Sequence, residues 1–286
     1  MQGLPASGKS TRAEEIRKAD GNCVRINKDL LRKMLHFNQW SGKNEGLTRD
    51  AARWLAELFI AGGKNVIIDD TNLNPGTVQS WVDLAKTLEA KIEYVRMDTS
   101  VEECIKRDAA REDKVGKNVI MSMAMQAGLY PKPEKGFVIC DLDGTLCDIK
   151  HRLHFVKDVP EGQKKDWKGF FANISDDSVN VKVREMLEDA QKHGGYEIAF
   201  VSGRPDDHRD VTERWLQRHV LPYSVLLMRR SGDKRPDTET KKDILDNYFL
   251  KPGYKVAYAI DDRPSVIRMW TENGISVVDV GEGVEF

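Results

Sequence analysis

The stretch Phe137-Val-Ile-Cys-Asp-Leu-Asp-Gly-Thr145 decides how the second half of the chain folds. Four residues able to fill a buried strand, Phe137 to Cys140, run into two carboxylates, Asp141 and Asp143, and then into a Gly-Thr turn. A short apolar run bounded by turn signals reads as a strand of a parallel sheet covered on both faces. Ligand sites of open α/β sheets lie just beyond the carboxyl ends of such strands. Two acids at that place are costly to desolvate unless a cation or a transferring group accounts for them. A strand that runs out into a solvated acidic turn is the plainer alternative, and the flanking sequence has to choose.

Downstream, residues 147–177 are polar and aromatic without a clear period, which fits a small cap inserted after the first strand. In it, His151 and His154 read as surface residues for want of a third ligand, and Trp167, Phe170 and Phe171 as local packing. A helix is predicted over 179–193, then a buried strand over 197–204 ending in Ser202 and Arg204, whose hydroxyl and backbone N–H groups suit a phosphoryl oxygen. A helix over 207–219, a strand over 224–228 and a basic turn over 229–235 follow. Lys241 starts a further helix and could neutralise a phosphate and a nucleophile together. The strand over 254–260 closes on Asp261 and Asp262, and a last strand covers 275–280. Several strand ends of one domain therefore offer phosphoryl-transfer chemistry. Asp141 can attack phosphorus and form an aspartyl phosphate. Asp143 can protonate the leaving oxygen and later activate water. Asp141, Asp143, Asp261 and Asp262 make an oxygen-rich Mg²⁺ site.

The first half opens with Gly3-Leu-Pro-Ala-Ser-Gly-Lys-Ser10, a complete GxxxxGK[ST] followed by a helix over 9–19. Gly3 and Gly8 let backbone N–H groups turn towards phosphates, Lys9 can reach the β/γ-phosphates, Ser10 can ligate Mg²⁺, and Thr11 stands beside it as a further nucleotide contact. A strand should precede this loop, yet only Met1 and Gln2 do, so the start is expected to be truncated within that strand. A strand over 22–26 leads into a helix that puts Asp29 and Arg32 three residues apart on one face. They read either as a surface ion pair or as a base for an acceptor hydroxyl with a phosphate contact beside it. A helix over 47–61 carries Leu47, Ala51, Trp54, Leu55 and Leu58 as a core stripe. The strand over 65–68 ends in Asp69 and Asp70, where a Mg²⁺-holding carboxylate would sit. A helix over 78–88, a strand over 91–97 and a helix capped by Ser100 complete the half, the last with Arg107 and Arg111 on one face, read either as a lid over phosphates or as solvated surface arginines. Alternating strands and helices imply a parallel sheet with helices on both faces. The Pro/Gly-rich segment 128–136 reads as a linker.

Composition agrees with two ordinary domains: 286 residues, 40% hydrophobic and 32% charged. No run approaches the ~20 apolar residues of a membrane span, and the start has no secretory pattern, so a cytoplasmic protein is expected. Cys23, Cys104, Cys140 and Cys147 match no zinc spacing and read as reduced thiols. The net charge of −1 makes no global case for nucleic acid, so a polyanion would need a local groove.

Asp-Leu-Asp-Gly-Thr at 141–145, Ser-Gly-Arg at 202–204, Lys241 and Ile-Asp-Asp-Arg at 260–263 resemble the four motifs of the haloacid dehalogenase-type phosphatases. With the P-loop, Asn-Lys-Asp-Leu-Leu-Arg at 27–32 and Asp-Asp-Thr-Asn-Leu-Asn-Pro at 69–75, the whole chain is similar to the phage-type polynucleotide 5′-kinase/3′-phosphatases. The resemblance implies an α/β protein of two doubly wound parallel-sheet domains, a P-loop kinase at 1–130 and a capped phosphatase at 131–286. It implies Asp29 as kinase base, Arg32 on the phosphate next to the 5′-OH, Lys9 and Ser10 on ATP and Mg²⁺, and Asp70 rather than Asp69 as the second carboxylate. Arg107 and Arg111 become lid arginines, and Arg235 a substrate contact. RNA or DNA ends and ATP would be the substrates, and a nucleic-acid ligase a working partner. The residues alone leave open a small-molecule kinase fused to a nucleotidase, or a phosphatase with a non-catalytic nucleic-acid-binding P-loop unit.

Overall fold

The computed structural model describes every residue except 40, 158, 159, 161–163, 220, 221, 284 and 286, several of which fall within the expected cap. The chain divides into two compact units, Met1–Ala127 and Gly128–Phe286. Among the described residues no helix is long and apolar enough to cross a membrane.

The first unit runs α1 (Lys9–Ala19), β1 (Cys23–Ile26), α2 (Lys28–His36), α3 (Gly42–Ala61), β2 (Asn65–Ile68), α4 (Pro75–Thr87), α5 (Val101–Ala109) and α6 (Lys117–Gln126). β1 and β2 pair in parallel, as the alternation of elements requires. Helix starts follow capping chemistry: Asn27, Ser41, Asn74 and Ser100 each accept a backbone N–H three residues on. Two expectations change. Residues 91–97 form no strand. Gln2 makes a single parallel bridge to Arg96, its N–H donating to Val95 O at 2.8 Å, while β2 and residues 91–95 both line a cavity of about 450 Å³. The α3 stripe is the second. Leu47, Trp54 and Leu58 are exposed, and the helix buries Thr48, Ala52 and Ala56, because only that small-residue face lets it lie close against Ile26, Leu31 and Leu84.

The second unit runs β3 (Phe137–Cys140), β4 (Cys147–Asp148), α7 (Trp167–Ala172), β5 (Ser178–Val179), α8 (Val181–Lys192), β6 (Glu197–Pro205), α9 (Arg209–His219), β7 (Val225–Arg229), α10 (Asp237–Leu245), β8 (Val256–Asp261), α11 (Pro264–Glu272) and β9 (Val277–Asp279). Five strands form one sheet in the order β7-β6-β3-β8-β9, every pairing parallel. β3 is central and wholly buried, and its side chains alternate between two cores. Val138 and Cys140 join Leu187 of α8, Trp215 of α9 and Phe170 of the cap. Phe137 meets Phe249 edge-on at 5.5 Å on the other face. The segment 128–136, read as a linker, packs onto this unit instead. Its Tyr130 ring lies 6.2 Å from Phe137, and its carbonyl accepts the Tyr254 hydroxyl at 2.9 Å. Apolar contact outweighs the turn-forming composition there.

Candidate active sites

Register brings the second site together. Cys140 is level with Phe200 of β6 and Ile260 of β8, so Asp141 and Asp261 come side by side at the ends of β3 and β8, while β6 runs on through Ser202 to Pro205. Asp141 N–H still donates to Ile260 O at 3.1 Å, which fixes the nucleophile candidate against Asp261. The loop after Asp141 is wound tightly, Cys147 N–H donating to Leu142 O at 2.7 Å. Gly144 sits at φ +86°, and a Cβ there would overlap Asp262 Oδ2. Only glycine fits that corner.

Asp141, Asp261 and Asp262 present carboxylate oxygens within 4.8 Å of one another, all buried. Lys241 enters from α10 and is fully buried, its Nζ 3.2 Å from Asp141, 3.0 Å from Asp261 and 3.4 Å from Asp237. Burial opposes its charge, but Asp141, Asp237 and Asp261 outweigh that and raise its pKa well above the ordinary value. Asp141 is pushed well up by burial, against the pull of Lys241, and Asp262 rises by burial to about 6. Asp141 Oδ1 has no hydrogen-bond partner among the described residues. A buried carboxylate oxygen that takes no hydrogen bond and has only the Lys241 ammonium beside it at 3.2 Å, inside three crowded acids, fits a divalent cation with oxygen ligands. Asp262 is held by the Thr145 hydroxyl at 2.7 Å, and Asp261 by the Trp270 indole N–H at 3.1 Å.

Asp143, expected among the metal ligands, is not in that trio. Its carboxylate turns to two fully buried arginines, accepting from Arg204 at 2.6 and 2.9 Å and from Arg152. Burial pushes its pKa up, but Arg204 and Arg152 win and hold it far below the usual carboxylate range. Arg152 and Arg204 also share Asp177, at 2.6 and 3.0 Å. Ser202 is buried on β6, and its hydroxyl accepts Arg204 N–H at 3.2 Å. Arg235, expected to meet substrate, is tied at 2.7 Å to both Asp233 and Asp243. Sequence reasoning missed Arg152 and Asp177, which lie in an aperiodic insertion that carries no spacing rule. It also missed Asp237, which the i, i+4 relation to Lys241 could have found.

In the first unit, Gly8 takes φ +95° at the start of α1, and Ser10 and Thr11 are exposed on the first turn. Lys9 is buried, its Nζ donating to Leu4 O at 2.5 Å, and burial lowers its pKa. Asp69 is taken up by Arg25 at 2.6 Å, whereas Asp70 accepts Lys28 N–H at 3.0 Å and has the Lys28 ammonium 3.5 Å from Oδ2; each carboxylate keeps one buried oxygen without a hydrogen bond. Burial raises the Asp70 pKa. Asp29 is exposed and pairs with Arg32 at 2.6 Å, and Arg32 also bonds Glu45. Arg107 and Arg111 do not share a helix face: α5 stops at Ala109, and the Asp108 carboxylate folds the chain back by accepting Val115 and Gly116 N–H at 3.1 and 2.8 Å. Arg107 still reaches the P-loop, its Nη1 lying 3.9 Å from where a Gly8 Cβ would stand.

Residues 135–284 match the family described as the polynucleotide kinase PNKP phosphatase domain. The chain belongs to that family. Its PNKP-type unit is preceded by residues 1–129, which match an AAA domain. A protein of Autographa californica nuclear polyhedrosis virus, named "Putative bifunctional polynucleotide kinase/RNA ligase", is 26% identical over 298 residues, 96% of this chain and 41% of the relative. The L-seryl-tRNA(Sec) kinase of Methanococcus maripaludis is 27% identical over 127 residues, 43% of this chain and 49% of the relative. The PNKP-family chain thus spans half or less of the length of these curated relatives. A chain of the solved Pnkp1/Rnl/Hen1 RNA repair complex aligns over 99% of this chain and 95% of its own, at 28% identity and a TM-score of 0.42.

Proposed function

We propose that the chain heals nucleic-acid ends in the cytoplasm, phosphorylating 5′-OH ends with ATP in its first domain and removing 3′-phosphates in its second. The observation that carries the reading is Asp141, buried between Lys241 and two further acids in a PNKP-family phosphatase unit. Asp141 attacks the 3′-phosphate, the 3′-oxygen leaves with a proton, and water then cleaves the aspartyl phosphate. Asp143 handles both protons. As a clamped carboxylate it is set to accept one from water, and donating one requires the arginine clamp to loosen when phosphate arrives. Ser202, Lys241 and the Arg204 backbone N–H hold phosphoryl oxygens. Bound at Asp141, Asp261 and Asp262, Mg²⁺ supplies positive charge against those oxygens.

In the kinase half, Asp29 takes the proton of the 5′-OH as it attacks the γ-phosphorus, and Arg32 holds the neighbouring phosphate. Gly3, Gly8, Lys9, Ser10 and Thr11 would cradle ATP, Ser10 and Asp70 would help to hold its Mg²⁺, and Arg107 and Arg111 would cover the donor phosphates. An RNA ligase that seals the product ends is the fitting partner, since the viral relative carries that word in its name. The test pairs Asp141→Asn, expected to abolish 3′-phosphatase and spare kinase activity, with Lys9→Ala, expected to do the reverse. Loss of both activities in either variant refutes the two-site reading, and phosphorylation of nucleosides but not oligonucleotides refutes the substrate.

A further inference from the structure

At the carboxylates of the phosphatase unit lies a cavity of about 490 Å³, whose lining includes Asp141 and Asp143, Trp167 and Phe171 of the cap, and Lys234 of the basic turn. That volume falls within the ~300–1,000 Å³ that small-ligand pockets occupy, more than a phosphoryl group alone needs. Trp167 is the unusual wall. It stands at the first position of α7 with 42% of its surface exposed, although Phe170 beneath it is buried. Its ring is not loose: Phe170 meets it edge-on at 5.7 Å, Phe171 lies nearly parallel at 5.9 Å, and Phe171 is braced by His208 at 5.0 Å. Lys165 approaches the ring only at 5.8 Å, near the outer limit of a cation–π contact. A half-exposed indole braced by its neighbours and facing this cavity is a platform for another flat ring.

The basic turn supplies the complementary charge. Arg229 is paired with Asp237, and Arg235 with Asp233 and Asp243. Lys234 is exposed, lines the same cavity, and has no ion-pair partner among the described residues. An ammonium that none of the described carboxylates pairs, on the same cavity as an aromatic ring, suits a phosphodiester attached to a stacked base.

We propose that this cavity holds the 3′-terminal nucleoside of the substrate, its base stacked on Trp167 and the preceding phosphodiester paired with Lys234. The two residues thereby select polynucleotide 3′-phosphates over small phosphate esters. The inference rests on the 3′-phosphatase reading and adds the groups that recognise the end. Stacking on an aromatic ring tolerates all four bases, so the site discriminates a base from none rather than one base from another.

The test measures kcat/KM on three substrates: an oligonucleotide with a based 3′-phosphate end, the same oligonucleotide with an abasic 3′-terminal sugar, and a 3′-mononucleotide. In Trp167→Ala the preference for the based over the abasic end should fall roughly tenfold, mostly through KM, and Trp167→Phe should restore part of it. In Lys234→Ala the preference for oligonucleotide over mononucleotide should fall severalfold, and its salt dependence should weaken. Trp167→Ala that lowers both ends equally, or neither, overturns the stacking site, as does an unchanged preference in Lys234→Ala for the phosphodiester contact. Wild-type protein that hydrolyses the mononucleotide but no oligonucleotide end overturns the 3′-phosphatase reading itself, and the selection of polynucleotides with it.

Discussion

Replacing Arg152 by alanine should unfold the phosphatase unit at a much lower temperature, because of how the buried charges balance around it. Arg152 and Arg204 face Asp143 and Asp177, two cations against two anions, and Arg152, Arg204 and Asp177 are almost wholly buried. Arg152 also lies 4.1 Å over the Phe170 ring. Without it, both carboxylates must share Arg204. Removing one partner of a buried ion pair costs about 3–5 kcal/mol, and a unit of this size loses about 2–4 °C of Tm per kcal/mol, so a fall of roughly 6–20 °C is expected. The carboxyl pKa of Asp143, now held down by one guanidinium, should rise towards the ordinary range. The companion variant Arg152→Met/Asp177→Leu leaves Arg204 with Asp143 alone, one cation against one anion, and should recover most of the lost stability. Its phosphatase activity should stay low, since the double arginine grip on Asp143 is still broken. Calorimetric melting of both variants, with kinase activity as the internal control, makes the comparison. A fall below about 2 °C in the single variant, or a double variant no more stable than the single, refutes the charge-balance argument.

Three further expectations follow from the geometry. Mg²⁺ should raise the Tm of the phosphatase unit more at pH 7 than at pH 5, because Asp262, pushed up to about 6, is protonated below that value and must lose its proton for the ion to bind. An equal or larger shift at pH 5 contradicts the site, and Asp262→Asn should flatten the difference. Trp54→Ala, at a 62% exposed position, should change stability by no more than about 0.5 kcal/mol, where a core tryptophan would cost about 3–5, and urea melting decides between them. Asp70→Asn should lower kinase kcat by at least tenfold while Asp69→Asn acts mainly on stability, since Asp69 is committed to the Arg25 guanidinium at 2.6 Å, whereas Asp70 meets only the Lys28 N–H and, at 3.5 Å, the Lys28 ammonium among the described residues. Equal kinase losses at full stability would remove that distinction.

Most of the candidate chemistry was legible in residue order because it depends on the ends of strands. An apolar run closing on Asp141, Ser202 or Asp261 names both the strand and the place where its side chains emerge, and parallel pairing in register then brings Asp141 level with Asp261 and within one residue of Ser202. The P-loop was legible for a similar reason, its glycines and Lys9 being spaced for one backbone path. Where local pattern and tertiary contact disagreed, contact decided. The α3 stripe has helical spacing, but the face that is buried is the one small enough to approach β1. Residues 91–97 are composed like a strand, but a strand needs a neighbour to bond, and among the described residues their one bridge is to Gln2.

What the sequence determined by itself is the order of the two units, the strand-end acids and the lysine between them, all fixed by short-range geometry. Only the tertiary structure decided where the acids point. Asp143 lies two residues from Asp141 and was expected beside it on the metal, yet Arg152 from the cap and Arg204 from β6 draw it away. Buried charge must find opposite charge wherever the fold places it, and the partners of Asp143 come from residues up to 61 positions distant, beyond the reach of any spacing rule.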